Sequence, residues 1–263
     1  MRIERRIYRV RSVKMNRYLK NVNKIEFVVT YACTGKCKHC SEGDHSLCGE
    51  RIDPELAADA VRRIAAEYDV RTVMTFGGEP LLHTDAVYSI MSAAKDIGIE
   101  RRQLITNGYF STSKDKMCEI AERLNKCGVN DLLLSVDAFH QETIPLDTVI
   151  AFAKEVKEHG IPIRLQPAWL VSPEDDNAYN VRTREILAGF EDLGILISDG
   201  NVIFPEGNAL KHLSEYFKND MPKNPYTDDP CDVKCISFEP DGCVLGSNFY
   251  TNDIMDIIDK YEP

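Results

Sequence analysis

The sequence lacks a long apolar run, a low-complexity tract and an excess of basic residues, and each absence excludes a class of protein. No segment approaches the roughly 18 apolar residues that a membrane helix needs, so we expect no membrane partner. With 12 Pro and 15 Gly in 263 residues, extensive disorder is not expected. The net charge of −10 makes nucleic acid an unexpected partner. A chain that is 43% hydrophobic can instead bury a large core.

An export signal is also missing from the sequence pattern. The first residues are rich in arginine, but no apolar segment follows them, so we expect a cytoplasmic location. The nine cysteines are therefore interpreted as metal ligands or thiols rather than as disulfides. Six of them fall into two groups, at positions 33–40 and 231–243. Cys118 and Cys127 lie on a predicted helix and are interpreted as small buried hydrophobic residues.

Residues 1–23 are expected to form an N-terminal basic arm. Nine Lys or Arg residues and one acid occur in residues 1–24, and the alternation over 3–11 predicts a strand or hairpin arm. Two interpretations remain open for this arm. It is either a solvated basic edge or a docking surface for an acidic peptide or a phosphorylated substrate.

Three cysteines, Cys33, Cys37 and Cys40, follow the apolar run 25–30, which predicts a short buried strand. Three thiolates this close in sequence can hold one metal ion or cluster, and they leave one coordination position without a nearby thiol. An open position of this kind is typical of a catalytic site.

A second motif, Gly77-Gly78-Glu79, ends the predicted strand at 73–76. Together with the spacing of the three cysteines and His39 before the last of them, it resembles the signature of the radical S-adenosylmethionine (radical SAM) superfamily. The resemblance implies that the cysteines hold a [4Fe-4S] cluster and that His39 lies near the adenine of S-adenosylmethionine (SAM). It also implies that the Gly-Gly-Glu segment meets the amino group of the methionine moiety.

Periodicity independently predicts a parallel α/β sheet over residues 24–218. The predicted strands are 25–30, 71–76, 103–106, 131–136, 161–166 and 195–204, and the predicted helices are 54–68, 85–97, 115–127, 143–159, 178–193 and 209–217. A full eight-unit barrel needs about 250 residues. Six units therefore predict a partial (β/α)6 TIM-like barrel, which is also the fold that the resemblance implies.

Ligands of parallel α/β folds gather at the carboxyl ends of the strands. The polar residues predicted there include Asn107, Ser135 and Asp137, to which the resemblance gives contacts with the ribose or carboxylate of SAM. Arg164 is interpreted either as a clamp on a carboxylate or as part of an internal salt bridge. Trp169, on a loop predicted at 167–173 above the pocket, is either a substrate platform or a packing residue.

Residues 219–263 differ in composition and predict a small C-terminal extension. Asp241-Gly242 between two apolar runs predicts a hairpin turn, and Cys231, Cys235 and Cys243 surround it. The segment resembles the SPASM and twitch extensions of radical SAM enzymes, which hold an auxiliary iron-sulfur cluster. A cysteine usual in that pattern is replaced by Ser247. The three thiols are therefore interpreted either as ligands of a second cluster or as part of a degenerate extension that closes the barrel mouth.

The resemblance implies an enzyme that reductively cleaves SAM to a 5'-deoxyadenosyl radical, which takes hydrogen from a peptide (a ribosomal precursor) or a small molecule. A flavodoxin- or ferredoxin-like reductant is the expected partner. The alternative is a zinc-binding or electron-transfer protein, with Cys48 or His45 as a fourth ligand beside the three cysteines. That alternative leaves the Gly-Gly-Glu motif without a role.

Overall fold

The computed structural model describes residues 15–43, 49–217 and 222–263. The strand predicted over 3–11 and two proposed zinc ligands, His45 and Cys48, lie outside these ranges.

A parallel sheet of seven strands forms the centre of the fold. In chain order the strands are β1 (Lys24–Val28), β2 (Thr72–Phe76), β3 (Arg101–Thr106), β4 (Asp131–Ser135), β5 (Ile163–Gln166), β6 (Ala168–Trp169), β7 (Leu196–Ile197), β8 (Asn201–Val202), β9 (Cys235–Phe238), β10 (Cys243–Val244) and β11 (Ser247–Asn248). The sheet has the order β7-β5-β4-β3-β2-β1-β9, while β6 pairs with β8 and β10 with β11. Within the described residues the sheet is open, which confirms the predicted partial barrel.

Helices cover one face of this sheet. They are α1 (Pro54–Ala65), α2 (Thr84–Asp96), α3 (Lys114–Cys127), α4 (Ala138–Gln141), α5 (Leu146–Glu158), α6 (Ala178–Ala188), α7 (Gly207–His212) and α8 (Ile254–Lys260). The start of α1 shows why the prediction succeeded. The Asp53 carboxylate accepts from the backbone of Glu55 and Leu56, and Pro54 occupies the first helical position. No helix among the described residues is both long and apolar enough to cross a membrane.

The two faces of the sheet differ in chemistry because side chains alternate along each strand. Apolar side chains of one face belong to the main core under the helices, and they include Ile25, Phe27, Val73, Leu104, Leu132 and Leu165. Their strand neighbours point to the opposite, concave face, which carries Lys24, Glu26, Gln103, Asp131, Arg164 and Gln166. The fold therefore has an apolar face under the helices and an opposite face on which these polar residues lie beside apolar ones such as Met74 and Leu133.

Two predicted elements are wrong in detail. The sixth strand, predicted over 195–204, is two short strands, β7 and β8, that join different sheets. The loop predicted over 167–173 contains β6, and Trp169 is buried in the main core, with its indole N–H donating to the Asp199 carbonyl at 2.8 Å. Packing is therefore the interpretation of Trp169 that the structure supports.

The C-terminal segment completes the sheet as well as forming a hairpin. β9 runs parallel to β1, with Ile25 opposite Ile236 and Phe27 opposite Phe238. The predicted Asp241-Gly242 turn exists, since the Gly242 N–H donates to the Glu239 carbonyl at 2.9 Å. The paired strands β10 and β11 enclose a different turn, Leu245-Gly246, in which both residues have positive φ. The boundary between the partial barrel and the C-terminal extension, predicted at 218/219, stays a prediction.

Candidate metal centre at the carboxyl edge of the sheet

The loop after β1 brings the first three thiols together. A Cβ built on Gly35 would lie 3.3 Å from the sulfur of Cys37 and 3.7 Å from that of Cys33, so these two sulfurs flank one glycine. Burial, helped by Glu79 and Cys40, raises the pKa of the Cys33 thiol to about 11 against the opposing effect of the Gly35 N–H. Burial, Asp137 and the neighbouring thiols raise the pKa of Cys37. The thiols therefore hold their protons until a metal replaces them.

The Gly-Gly segment after β2 supports this loop through backbone contacts. The Gly78 N–H donates to the Thr30 carbonyl at 2.8 Å, and the Glu79 N–H donates to the Ala32 carbonyl at 2.8 Å. A Cβ on Gly78 would lie 2.2 Å from the Ala32 oxygen, and one on Gly77 would lie 2.6 Å from the Thr30 oxygen. Both glycines therefore allow the ends of β1 and β2 to approach each other. This backbone contact explains the need for glycine at 77 and 78, and the sequence alone did not predict it.

The Glu79 carboxylate is fully buried and ties β2 to β3. It accepts from the Leu81 N–H at 2.9 Å, the Thr106 hydroxyl at 2.7 Å and the Asn107 N–H at 2.8 Å. Burial raises its pKa to about 7 against the opposing effect of these donors. A cation beside Glu79 would favour its ionised form. Its contact with the SAM amino group stays a prediction.

Asn107, at the end of β3, contacts the cysteine loop directly. Its side-chain amide donates to the Thr34 hydroxyl at 3.2 Å and lies 3.6 Å from the Cys33 sulfur. Its side-chain carbonyl accepts from the Tyr109 N–H at 2.8 Å, which fixes the orientation of the amide. The residue is 5% exposed. The structure thus brings Asn107 to the candidate metal centre, as the strand-end argument predicted.

Asp137 and two histidines form the opposite wall of the loop. The Asp137 carboxylate is fully buried, lies 2.8 Å from His140 Nδ1 and also accepts from the Ala168 N–H at 3.1 Å. Burial opposes its ionisation, but the charge and hydrogen bonds of His140, together with His39, lower its pKa to about 2. Ser135, at the end of β4, is also buried.

His39 lies between the rings of Phe139 and His140, at centroid distances of 5.0 and 4.8 Å. Burial lowers its pKa to about 4 against the opposing effect of Asp137, so the ring is neutral near pH 7. Its Nδ1 is buried and has no hydrogen-bond partner within the described part of the chain. Such an orphaned polar atom is typical of a position that a ligand completes.

Sequence reasoning missed Gly207 and Asn208, which fasten the loop from the far end of the sheet. The Asn208 N–H donates to the Cys40 carbonyl at 2.8 Å, and its side-chain amide donates to the carbonyls of Cys37 at 3.2 Å and Gly43 at 3.1 Å. A Cβ on Gly207, which has φ of +51°, would lie 2.2 Å from the Ser41 oxygen. The helix was predicted to start at Ala209, and neither Gly207 nor Asn208 received a role.

Arg164 is the one predicted cofactor residue that the structure engages elsewhere. Its guanidinium binds both carboxylate oxygens of Asp131, at 2.8 and 2.9 Å, near the amino end of the strands. Gln103 donates to the same carboxylate at 2.7 Å. The internal salt bridge is therefore the interpretation that the geometry supports, and the carboxylate clamp is not.

The structure does not bring Cys231, Cys235 and Cys243 together. Cys231 and Cys243 are exposed, whereas Cys235 begins β9 and is half-buried. The Cys243 carbonyl accepts from the Glu239 N–H at 3.0 Å, beyond the end of β9. At about 3.3 Å per residue, the backbones at 235 and 243 are thus roughly 13 Å apart. This arrangement does not favour an auxiliary cluster, and it supports the interpretation as a degenerate extension.

The ligand spacing that one zinc ion requires can be compared with the arrangement of the three cysteines of the loop. Two sulfurs on one zinc ion lie at most about 4.6 Å apart. Among the described residues, the groups with all ligand atoms within 4.8 Å of one another are Cys37 with His39 and His140, and Cys118 with Glu155 and His159. The trio Cys33, Cys37 and Cys40 is not among them. Its three soft sulfur donors are the ligands that an iron-sulfur cluster takes.

Comparison with known families identifies the class of protein. The profile of the radical SAM superfamily matches residues 27–177, which include the cysteine loop and the Gly-Gly-Glu segment. The chain belongs to the radical SAM superfamily. The cofactors that this membership implies are a [4Fe-4S] cluster and SAM, and the sulfur donor set and the orphaned His39 nitrogen fit them.

Curated relatives resemble the chain over part of their length. A probable GTP 3',8-cyclase from Sulfolobus acidocaldarius is 29% identical over 56% of this chain and 47% of the relative. One from Metallosphaera sedula is 27% identical over 57% of this chain and 48% of its own length. The chain therefore spans about half the length of these relatives.

Solved structures share the fold. SuiB from Streptococcus suis, bound to the precursor peptide SuiA, has a TM-score of 0.58 at 14% identity and covers 92% of this chain and 65% of its own. The enzyme anSMEcpe with bound AdoMet has a TM-score of 0.56 at 14% identity, over 92% of this chain and 81% of its own. At these identities the likeness shows the fold alone.

Proposed function

We propose that this chain is a radical SAM enzyme that takes a hydrogen atom from a carbon of a peptide or small-molecule substrate. The observation that carries the proposal is the convergence of Cys33, Cys37 and Cys40 with Asn107 and His39 at one edge of the sheet. Family membership supports it. When bound, the cluster and SAM supply a 5'-deoxyadenosyl radical from one electron.

Each residue of the site has a proposed task. The three cysteines would hold the cluster through their thiolates, and SAM would take the coordination position that they do not fill. His39 and Asn107 orient SAM. Glu79 holds β2 and β3 in place and faces the amino group of SAM. Gly77 and Gly78 belong to the proposed site through the close approach that they permit. Ser135 and Asp137 close the wall on the side of β4, and Asp137 also keeps His140 in position.

The proposed substrate lies against the face of the sheet opposite the helices and extends to the carboxyl edge, where the candidate metal centre lies. That face carries the Lys24–Glu26 ion pair, the Arg164–Asp131 pair and Gln166, whose carbonyl accepts from Ser198. Polar side chains of both signs suit a substrate with several hydrogen-bonding groups, such as a peptide segment or a nucleotide. SuiB is bound to a precursor peptide and the curated relatives are probable GTP cyclases, so both substrate types deserve direct comparison.

A flavodoxin- or ferredoxin-like protein is the proposed reductant, because cleavage of SAM requires one electron from outside the chain. The cytoplasmic location expected from the missing export signal agrees with such a partner and stays a prediction.

The test uses anaerobically reconstituted protein, reduced and mixed with SAM, with 5'-deoxyadenosine measured by mass spectrometry. We expect wild-type protein to form this product and Cys37→Ala to form none, with Cys127→Ser as a matched control that stays active. Wild-type protein that carries iron but never forms the product would contradict the proposal. The substrate class is then tested by adding GTP or candidate precursor peptides, since the true substrate should accelerate product formation.

A further inference from the structure

A second group of metal-ligand atoms lies on the helical layer, where the proposed reaction has no use for it. Cys118 on α3, Glu155 on α5 and His159 just after α5 place a thiol, a carboxylate and an imidazole within 4.8 Å of one another. The sequence predicted Cys118 to be a buried hydrophobic residue, and this is wrong. Its side chain is partly exposed, and its sulfur lies 3.8 Å from His159 Nε2.

The tautomer of His159 is set for ligation. Its Nδ1 lies 2.8 Å from the Glu155 carbonyl oxygen, which can only accept a hydrogen bond, so Nδ1 carries the proton. In the neutral ring, Nε2 then presents its lone pair towards Cys118. Metal-binding histidines almost always have the other ring nitrogen fixed by such an acceptor.

Among the described residues, the ion pair of Glu155 is a long one to a solvated lysine. The Glu155 side chain is 6% exposed, and the cation paired with it, Lys114, is 3.8 Å away and 83% exposed. A buried carboxylate is costly unless a neighbouring charge compensates it, and a long, solvated lysine does this poorly. A divalent ion between the three ligands would supply a closer compensating charge.

We propose that Cys118, Glu155 and His159 bind one zinc-class divalent ion that clamps α3 to α5. Thiolate, imidazole and carboxylate are the ligands zinc prefers, and three of them leave the fourth position to water. A tetrahedral zinc holds a sulfur and a nitrogen about 3.6 Å apart, close to the distance found between Cys118 and His159. The remaining explanation is a metal-free cluster in which the Cys118 thiol makes a hydrogen bond.

The test uses the full chain with its iron-sulfur cluster loaded, stripped of loose ions by a chelator and then dialysed against zinc. Zinc and iron are counted by mass spectrometry in wild-type protein and in Cys118→Ser, His159→Gln and Cys127→Ser. Cys127 is the matched control because it lies on the same helix, buried, with its thiol bonded to the Leu124 carbonyl at 3.2 Å. We expect one zinc in wild type and Cys127→Ser, and background zinc in the other two.

Zinc K-edge absorption identifies the ligands even when iron is present. We expect a single sulfur at about 2.3 Å with nitrogen or oxygen neighbours. A zinc shell of several sulfurs, unchanged zinc in Cys118→Ser, or no zinc in iron-replete wild type would each overturn the proposal. If Cys118→Ser does not fold, the isosteric Glu155→Gln replaces it, and zinc affinity should fall by about tenfold or more.

Discussion

At Gly78, the absence of one methyl group decides whether two strand ends can lie side by side. Its Cβ would meet the Ala32 oxygen at 2.2 Å, and backbone cannot move aside as a flexible side chain can. We expect Gly78→Ala to lower the free energy of unfolding by about 1–3 kcal/mol and to reduce iron content. Chemical denaturation and iron analysis measure these effects. Gly49→Ala is the control, since its Cβ would meet nothing within 4 Å, and equal losses in both variants would refute the explanation.

Asn208 is the residue whose role sequence reasoning could least anticipate. Its amide reaches carbonyls 165 and 171 residues earlier in the chain, a contact that only the folded chain creates. We expect Asn208→Ala to free the cysteine loop and to change the electron paramagnetic resonance signal of the reduced cluster, with faster iron loss. Asn224→Ala, which removes exposed contacts with Glu206 and with the Tyr226 N–H and none with the cysteine loop, should leave both unchanged. An unaltered signal and iron half-life in Asn208→Ala would contradict this role.

At the scale of helices and strands, the sequence predicted most of the features that depend on neighbouring residues in the chain. The cap at Asp53 and the apolar periodicity located the major helices and five strands. The Asp137, Asn107 and Glu79 side chains were placed correctly at strand ends. What failed depends on tertiary contacts. The alternation of side chains along β5 placed Arg164 on the correct face. Its pairing with Asp131 could not be predicted, because Asp131 lies on the neighbouring strand β4.

The seventh strand was also beyond local reasoning. Residues 235–238 alternate like any edge strand, and their pairing with β1 joins opposite ends of the chain. The Phe27 and Phe238 rings stack at a centroid distance of 4.8 Å, and Phe249 meets Phe238 edge-on at 5.0 Å. This aromatic trio fixes the C-terminal segment to the core.

Removal of the central ring of this trio should therefore destabilise the whole sheet. We expect Phe238→Ala to cost about 3–5 kcal/mol of unfolding free energy, because a fully buried ring leaves a cavity. Urea denaturation of the reduced apoprotein measures the loss. Phe204→Ala, at a half-buried ring, should cost clearly less. A loss for Phe238→Ala no larger than that for Phe204→Ala would show that β9 is only loosely attached.

For the whole molecule, the separation of the two cysteine groups determines how many clusters the chain holds. Because Cys231, Cys235 and Cys243 do not converge, we expect a variant with alanine at Cys33, Cys37 and Cys40 to retain only background iron after reconstitution. Iron and sulfide analysis provides the measurement, with wild-type protein near four irons per chain as the reference. About four irons remaining in the triple variant would instead establish a second cluster.

The distant supports of the cysteine loop impose an order on biosynthesis. A ribosome releases the three thiols early, while the amide of Asn208 and the edge strand beside β1 emerge last. Until then the loop has its contacts from residues 78, 79 and 107 but lacks those from Asn208. We therefore expect stable cluster insertion to follow the synthesis of residues 207–208, and a polypeptide arrested before them to hold iron less firmly than the full chain.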